Sequence, residues 1–259
     1  MKTRNLFVLL ILITVLGSGV ASFAACTATS LSNGNGVWGL EAYGHGPSSV
    51  LDNVLIQATF ASGGTFTGTE WQSLGGTLSS SAISGTWAMG TPASACQGTI
   101  IVTSPSTQTF NFALNTGAKD GTLAQIDNGY TMAGFMVAEG NAICTAAHFK
   151  NKQFSLYSNG TIPAVGGLVT GTGELKFDKT GTAFNANPTV TLDLGAAGNF
   201  VVPANGTSLV NPDCTGTGVL TVPALGQAFD VDTVVVNAGK EVLWVVTNPG
   251  DNVSGYFLQ

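Results

Sequence analysis

Four cysteines divide this chain of 259 residues into two stretches of matching layout. Cys26 and Cys96 stand 70 residues apart, and Cys144 and Cys214 stand 70 apart as well. The sequences around them match in the same order, and the paired landmarks are CTATSLSN with CTAAHFKN, CQGTIIV with CTGTGVL, and TQTFNFAL with GQAFDVDT. Separate landmarks that keep their order indicate a tandem duplication. We place one copy over residues 25–140 and the other over 141–259.

Each copy, at about 115 residues, is long enough to bury a core of its own. Four cysteines allow three disulfide pairings. A domain that was stable before the duplication would carry its own crosslink, which favours Cys26–Cys96 and Cys144–Cys214. The junction AEGNAIC is short, so we expect the copies to pack against each other or to sit nearly rigidly apart.

The N-terminus has the layout of a secretory signal peptide over residues 1–24. Lys2 and Arg4 precede an apolar run at 6–16, and small residues follow it. This core is too short to span a bilayer comfortably, so we predict export to the secreted, periplasmic or cell-envelope space. A lipoprotein acylated at Cys26 is the alternative.

Charge limits the partners of the exported chain. Without residues 1–24 it has six basic residues, all lysine, against fourteen carboxylates, a formal charge of −8. An acidic surface without arginine repels phosphate backbones, so we predict no nucleic-acid partner, and no transmembrane segment remains after the leader. A cell surface and a small apolar ligand stay open as partners, and the oligomeric state is not predicted.

Period-two alternation broken by glycine, Asn-Gly and proline turns predicts an all-β chain. Strands are expected near 36–43, 52–60, 64–71, 76–89, 98–104, 107–115, 121–127 and 130–138, and near 152–158, 164–170, 172–178, 182–194, 199–210, 216–222, 226–236, 241–247 and 252–258. About eight strands per copy favour two tandem antiparallel, calycin-like β-barrels.

Immunoglobulin-like β-sandwiches are the alternative fold, because Cys26, Trp38 and Cys96 mimic the Cys…Trp…Cys spacing of that fold. Cys26, however, leaves no room for a preceding strand.

The motif NPDCTGT, an opening cysteine and a closing strand with Ser-Gly resemble an exported bacterial β-domain family. The motif is intact in the second copy, whereas Ala95 and Gln97 flank Cys96 in the first. The resemblance implies a disulfide-linked β-domain and a bacterial source. It implies no activity and no catalytic residues.

The inventory for catalysis is small. His45 with Asp52 and a serine could form a hydrolytic triad, but no nucleophile elbow supports it, and His148 lacks a partner in the sequence. No dinucleotide, phosphate-loop or zinc motif occurs, so we assign no catalytic residue, no cofactor and no transition-metal site.

Two other groups of residues are candidates for binding. Asp230, Asp232 and Glu241 form a candidate Ca²⁺ site, although a solvated strand face is the favoured interpretation. Trp38, Trp71 and Tyr43 are candidates for lining a barrel mouth that binds an apolar ligand or a sugar, against which core packing is the alternative.

Three functions follow from these observations. The favoured one is a non-catalytic exported protein with a structural or adhesive role at the cell surface, in the envelope or outside the cell. The first alternative is a protein that binds a small apolar ligand or a carbohydrate in the interior or mouth of a barrel. The second is an enzyme on a barrel scaffold.

Overall fold

A computed structural model describes residues 26–115, 117–140 and 143–259. The expected leader, residues 1–24, lies outside the described residues, as does part of the junction between the copies. Within the described part, no helix has the length and apolar character needed to cross a membrane.

The first half of the chain forms a closed antiparallel barrel of eight strands. Each strand pairs with the next along the chain, and β8 closes the ring by pairing with β1. The strands are β1 (Val37–His45), β2 (Leu51–Phe60), β3 (Thr65–Leu74), β4 (Thr77–Met89), β5 (Gln97–Ser104), β6 (Gln108–Leu114), β7 (Asp120–Gln125) and β8 (Ala133–Ala138).

The second half repeats this arrangement with one interruption. Its ring is closed by β17 pairing with β9 and by β10 pairing with β11, while β12 pairs along one end of β11. The strands are β9 (Gln153–Ile162), β10 (Gly167–Phe177), β11 (Ala183–Asp193), β12 (Asn199–Val202), β13 (Asn205–Val210), β14 (Thr215–Val222), β15 (Gln227–Val236), β16 (Glu241–Val246) and β17 (Asn252–Leu258).

The predicted all-β class and the two barrels of about eight strands each are therefore confirmed. The immunoglobulin-like alternative is wrong, because each sheet closes on itself instead of forming two facing sheets. Apolar and polar residues alternate along the strands, so that each strand has one face inside the ring and one face outside. In β6, Phe110 and Phe112 are buried in the barrel interior, while Asn111 between them is exposed. A closed ring also leaves fewer unpaired strand edges.

Both predicted disulfides form, Cys26–Cys96 and Cys144–Cys214. Such bonds are typical of proteins outside the cytoplasm. The Cys26 sulfur is bonded to Cys96, so it is not free to carry the lipid of the lipoprotein alternative. Cys96 and Cys214 both adopt left-handed backbone, with φ of 56° and 67°, so the two crosslinks are also alike in local conformation.

The N-terminal segment closes one end of the first barrel. A short 3-10 helix (Ser30–Ser32) places Leu31, which is fully buried, beneath the barrel core. The indole Nε1 of Trp38 donates a 2.8 Å hydrogen bond to the Leu31 carbonyl. This end is therefore packed and crosslinked.

The two barrels pack side by side through the outer faces of their sheets. A separate apolar cluster fills this interface, and its buried members are Leu55, Val137, Val234, Val236, Leu243 and Val245. Hydrogen bonds cross the interface, from Ser73 Oγ to the Asp251 carbonyl (3.0 Å) and from Asn252 Nδ2 to the Leu51 carbonyl (2.7 Å). The interface thus has a core and directional contacts, as expected for copies packed against each other.

Candidate functional site

Polar side chains occupy the end of the first barrel that lies opposite the Cys26–Cys96 disulfide. We call this group the polar mouth, and its members are Asp52, Glu70, Gln72, Gln108, Gln125 and Tyr130. Strands β2, β3, β6 and β7 supply five of them, and the turn between β7 and β8 supplies Tyr130.

Strand alternation aims the two carboxyls of the polar mouth into the barrel. Asp52 lies on the same face of β2 as Val54 and Ile56, which belong to the barrel core. Glu70 pairs directly with Ile56 across the β2–β3 ladder and faces the same way. Asp52 is 0% exposed and Glu70 is 5% exposed, so both carboxyls are withdrawn from bulk water.

Each carboxyl has one amide partner. Gln72 Nε2 donates to Asp52 Oδ2 at 2.8 Å, and Gln108 Nε2 donates to Glu70 Oε1 at 3.4 Å. The second oxygen of each carboxyl, Asp52 Oδ1 and Glu70 Oε2, is buried without a hydrogen-bond partner, and so is Gln108 Oε1. An unpartnered buried polar atom destabilises the folded state by about 1–3 kcal/mol, so the polar mouth lowers the stability of the fold.

Burial dominates the electrostatics of the polar mouth. It raises the pKa of Asp52 from 3.8 to about 6, against the opposing hydrogen bond from Gln72. Burial also raises the pKa of Glu70, with the Asp52 charge as a further cause in the same direction. The pKa of Tyr130 rises through burial and through the charges of Asp52, Asp127 and Glu70. Two coupled carboxyls of this kind can hold a proton near neutral pH and can both accept and donate hydrogen bonds.

Two loops cover part of the polar mouth. The amide of Thr131 donates to the His45 carbonyl at 2.8 Å, which ties the β7–β8 turn to the loop between β1 and β2. A side-chain carbon at Gly46 would lie 3.0 Å from Leu74 Cδ1, which is a tight contact, and 3.4 Å from Asp52 Oδ2, so the loop lies close over the mouth. On the side of β4 the mouth is open, because Ser79 is exposed.

The second barrel carries apolar residues at the corresponding positions. Phe60 pairs with Phe66 in the first barrel as Phe177 pairs with Phe184 in the second. From these pairs the two ladders can be aligned residue by residue, if a bulge with two extra residues in the second barrel is allowed for. Asp52 then corresponds to Val169, Glu70 to Val190 and Gln72 to Leu192. The fold therefore accepts apolar side chains at all three positions, and the carboxyls are particular to the first barrel.

The interior of the second barrel is filled. Its end next to Val169 and Leu192 holds a cavity of about 30 Å³, and a second cavity near Phe149 and Trp244 measures about 20 Å³. Ligand sites usually occupy about 300 Å³ or more. The expectation of an apolar ligand inside a hollow barrel is thus wrong for the second barrel.

The three aromatic candidates from the sequence do not meet. Trp38 lies in the core of the first barrel at the closed end, 2% exposed. Trp71 is half-buried on the outer face of β3, where it packs against the apolar cluster between the barrels. Tyr43 lies on the outer face of β1, 39% exposed. None of them is a member of the polar mouth.

The remaining candidates also stay apart. His45 is exposed, and His148 Nδ1 lies beside its own turn, 3.1 Å from the Thr145 carbonyl. Asp230 and Asp232 line an open groove of about 530 Å³ on the outside of the second barrel. Glu241 pairs with Val236 at the far end of the ladder, roughly 13 Å along the strand from Asp232. The described residues include no cluster of three or more metal-binding side chains.

A second set of buried carboxyls lies between the barrels. Glu41, on the outer face of β1, is 2% exposed, and burial raises its pKa well above the usual value. Burial raises the pKa of Glu139 to about 7, and that of Glu241 to about 7, with nearby acids adding to each shift. These groups couple the packing of the barrels to pH.

Glu70 and the glutamines of the polar mouth were not predicted from the sequence, and Asp52 was predicted only as a possible partner of His45. A signal was present, since Glu70 has the same parity as the core residue Phe66 on a strand of alternating residues. An acid at an interior position of a strand is the pattern that would have indicated the site.

No protein-family model and no curated protein matches this chain. Three solved structures are similar to this chain at low scores. Kievitone hydratase from Nectria haematococca is 11% identical over 93% of this chain and 94% of its own, with a TM-score of 0.34. A protein from Nitrosomonas europaea assigned as AttH is 7% identical over 86% and 91%, with a TM-score of 0.28. A protein of unknown function from Nostoc punctiforme is 12% identical over 88% and 95%, with a TM-score of 0.25.

At such scores the likenesses carry no argument about function. The strand pairing is what establishes the barrels of this chain, and the resemblance to an exported bacterial family stays a prediction.

Proposed function

We propose that this chain is an exported binding protein that holds a small polar ligand in the polar mouth of its first barrel. The second barrel, filled and packed alongside, acts as a rigid support. The proposal develops the ligand-binding alternative of the sequence analysis and moves the site from aromatic residues to buried carboxyls and amides.

The observation that carries the proposal is the contrast between the barrels. Where the second barrel has Val169 and Val190, the first has Asp52 and Glu70, at equivalent positions of equivalent ladders. Apolar residues there would remove the desolvation cost of both carboxyls. Polar groups that the fold does not need, buried in an end with an open side, are typical of binding sites.

Native mass spectrometry tests the proposal. Protein purified gently from an exporting bacterial host should carry an additional small mass, and the variant Asp52→Val/Glu70→Val, which copies the second barrel, should lack it. Leu192→Val in the second barrel is the matched control and should keep the mass. Wild-type protein without a bound mass, and without a thermal shift in a library of polar metabolites, would contradict binding and favour the structural role that the composition suggests.

A further inference from the structure

The polar mouth has two acids and no base. The causes that shift the pKa values of Asp52 and Glu70 are burial, their glutamine partners and each other's charge, and none of these is a basic group. Residues 26–115, which supply four of the six members of the polar mouth, contain no lysine or arginine. His45, at the end of β1, is exposed. No basic group among the described residues contributes to the pKa shift of either carboxyl, so a positive charge in the polar mouth would come from a ligand.

The buried atoms of the polar mouth that have no hydrogen-bond partner are all acceptors. They are Asp52 Oδ1, Glu70 Oε2 and Gln108 Oε1, on side chains that are 0%, 5% and 7% exposed. A matching ligand must supply donors and, to offset two buried carboxylates, a positive charge. A protonated primary amine does both, because it carries three N–H donors and one charge.

Serine hydroxyl groups lie next to these acceptor atoms, on the open side of the polar mouth. Ser79 and Ser81 lie on the interior side of β4, where Ser79 is exposed and Ser81 half-buried. Gln72, opposite Ser79 in the β3–β4 ladder, is half-buried too. Hydroxyl and amide groups of this kind exchange hydrogen bonds with a polyol in place of water.

From this arrangement we infer that the polar mouth binds the protonated primary amine of a small hydroxylated molecule. The inference rests on the proposed function and names its ligand class. The amine lies among the free oxygens of Asp52, Glu70 and Gln108, while the hydroxyls of the ligand face Ser79, Ser81 and Gln72. Anions are repelled by the same carboxyls, and an alkane would leave the three acceptors unpartnered.

Calcium is the competing cation. It takes 6–8 oxygen ligands, whereas the polar mouth offers three unpartnered buried oxygens. The described residues contain no cluster of three acidic or other metal-binding side chains. The ion would need most of its coordination from water inside a partly covered barrel end. An organic ammonium needs only the three acceptors that are free.

The test is isothermal titration calorimetry of the mature protein with D-glucamine and D-sorbitol, which differ only in an amine that replaces one hydroxyl. We expect D-glucamine to bind at least about tenfold more tightly than D-sorbitol, because only the amine forms charge-assisted hydrogen bonds. Glu70→Gln, which keeps the size of the side chain, should weaken D-glucamine about tenfold or more. Asp193→Asn, at an exposed carboxyl on the second barrel, is the control and should leave binding unchanged.

If D-sorbitol binds as tightly as D-glucamine, the inference that the ligand needs an amine is wrong, while the proposed site for a polar ligand stands. Binding of neither probe, with a bound mass still seen in native mass spectrometry, would overturn the ligand class but not the proposed function. Neither binding nor a bound mass would overturn both. Heat from CaCl₂ that disappears in Glu70→Gln, without D-glucamine binding, would assign the site to a metal ion. Circular dichroism of each variant establishes that it is folded.

Discussion

Replacing Asp52 by valine and Gln72 by leucine should make the protein more stable at neutral pH. The double variant gives the first barrel the residues that the second carries as Val169 and Leu192. It removes both partners of one hydrogen bond at once, so neither is left without its partner. If the polar mouth serves binding and not folding, replacing its polar side chains should raise the free energy of unfolding.

The magnitude follows from the titration of Asp52. Burial raises its pKa from 3.8 to about 6, and one pKa unit corresponds to about 1.4 kcal/mol. A raised pKa means that the contribution of this group to stability is present in acid and is lost as pH rises through about 6. At pH 7 the ionised carboxyl therefore destabilises the folded state by roughly 2–3 kcal/mol. For a protein of this size that corresponds to a melting-temperature change on the order of 5 °C.

Urea unfolding followed by circular dichroism at pH 4 and pH 7 measures the effect. The double variant should exceed wild type by about 2 kcal/mol at pH 7, and the gain should shrink towards pH 4. Asp52→Asn, which keeps the shape but cannot titrate, should lose the same part of the pH dependence. A double variant that is less stable than wild type at pH 7, or that gains equally at both pH values, would refute the reasoning.

Three further predictions concern the rest of the molecule. Because burial raises the pKa values of Glu139 and Glu241 from 4.5 to about 7, the free energy of unfolding should fall as pH rises from about 4.5 to about 7. Glu139→Gln should flatten that slope, and an unchanged slope would argue against the assignment. The double variant Cys144→Ser/Cys214→Ser should lose about 3–4 kcal/mol, with hydrogen exchange rising first in the second barrel; equal loss of protection in both barrels would contradict two independent crosslinks. Leu243→Ala, at a fully buried position between the barrels, should cost about 2–5 kcal/mol in thermal unfolding, and a cost below about 0.5 kcal/mol would mean that the barrels do not depend on this contact.

The architecture was predictable from the sequence because duplication made the pattern redundant. The matched cysteine spacing identified both disulfides, and alternation located strands such as β4, expected near 76–89 and found at Thr77–Met89. Strands were harder to predict where the alternation is less regular. The strand expected over 199–210 is split into β12 and β13, because the chain leaves the ladder between Val202 and Asn205.

The site was less predictable, for a physical reason. Aromatic residues attract attention in a barrel sequence, yet the fold uses Trp38 to fill the core and Trp71 to pack against the second barrel. Which face of a strand points inward depends on its register, and register follows from the closed ring more than from local composition. Only when the ladders of the two barrels are aligned do Asp52 and Glu70 emerge as interior acids, at the positions that Val169 and Val190 occupy in the second barrel.

Carboxyl-carbon NMR of the mature protein, titrated from pH 3 to pH 8, tests the central claim most directly. That claim is that two acids lie buried, without a positive partner, in the mouth of the first barrel. It predicts that Asp52 titrates near pH 6 and that Glu70 titrates above its ordinary value of 4.5. The exposed Asp178, whose pKa is lowered by hydrogen bonds from Thr180 and nearby backbone amides, should stay ionised down to pH 3. Ordinary titration of both Asp52 and Glu70, at or below 4.5, would show that the two carboxyls face water and would contradict the account.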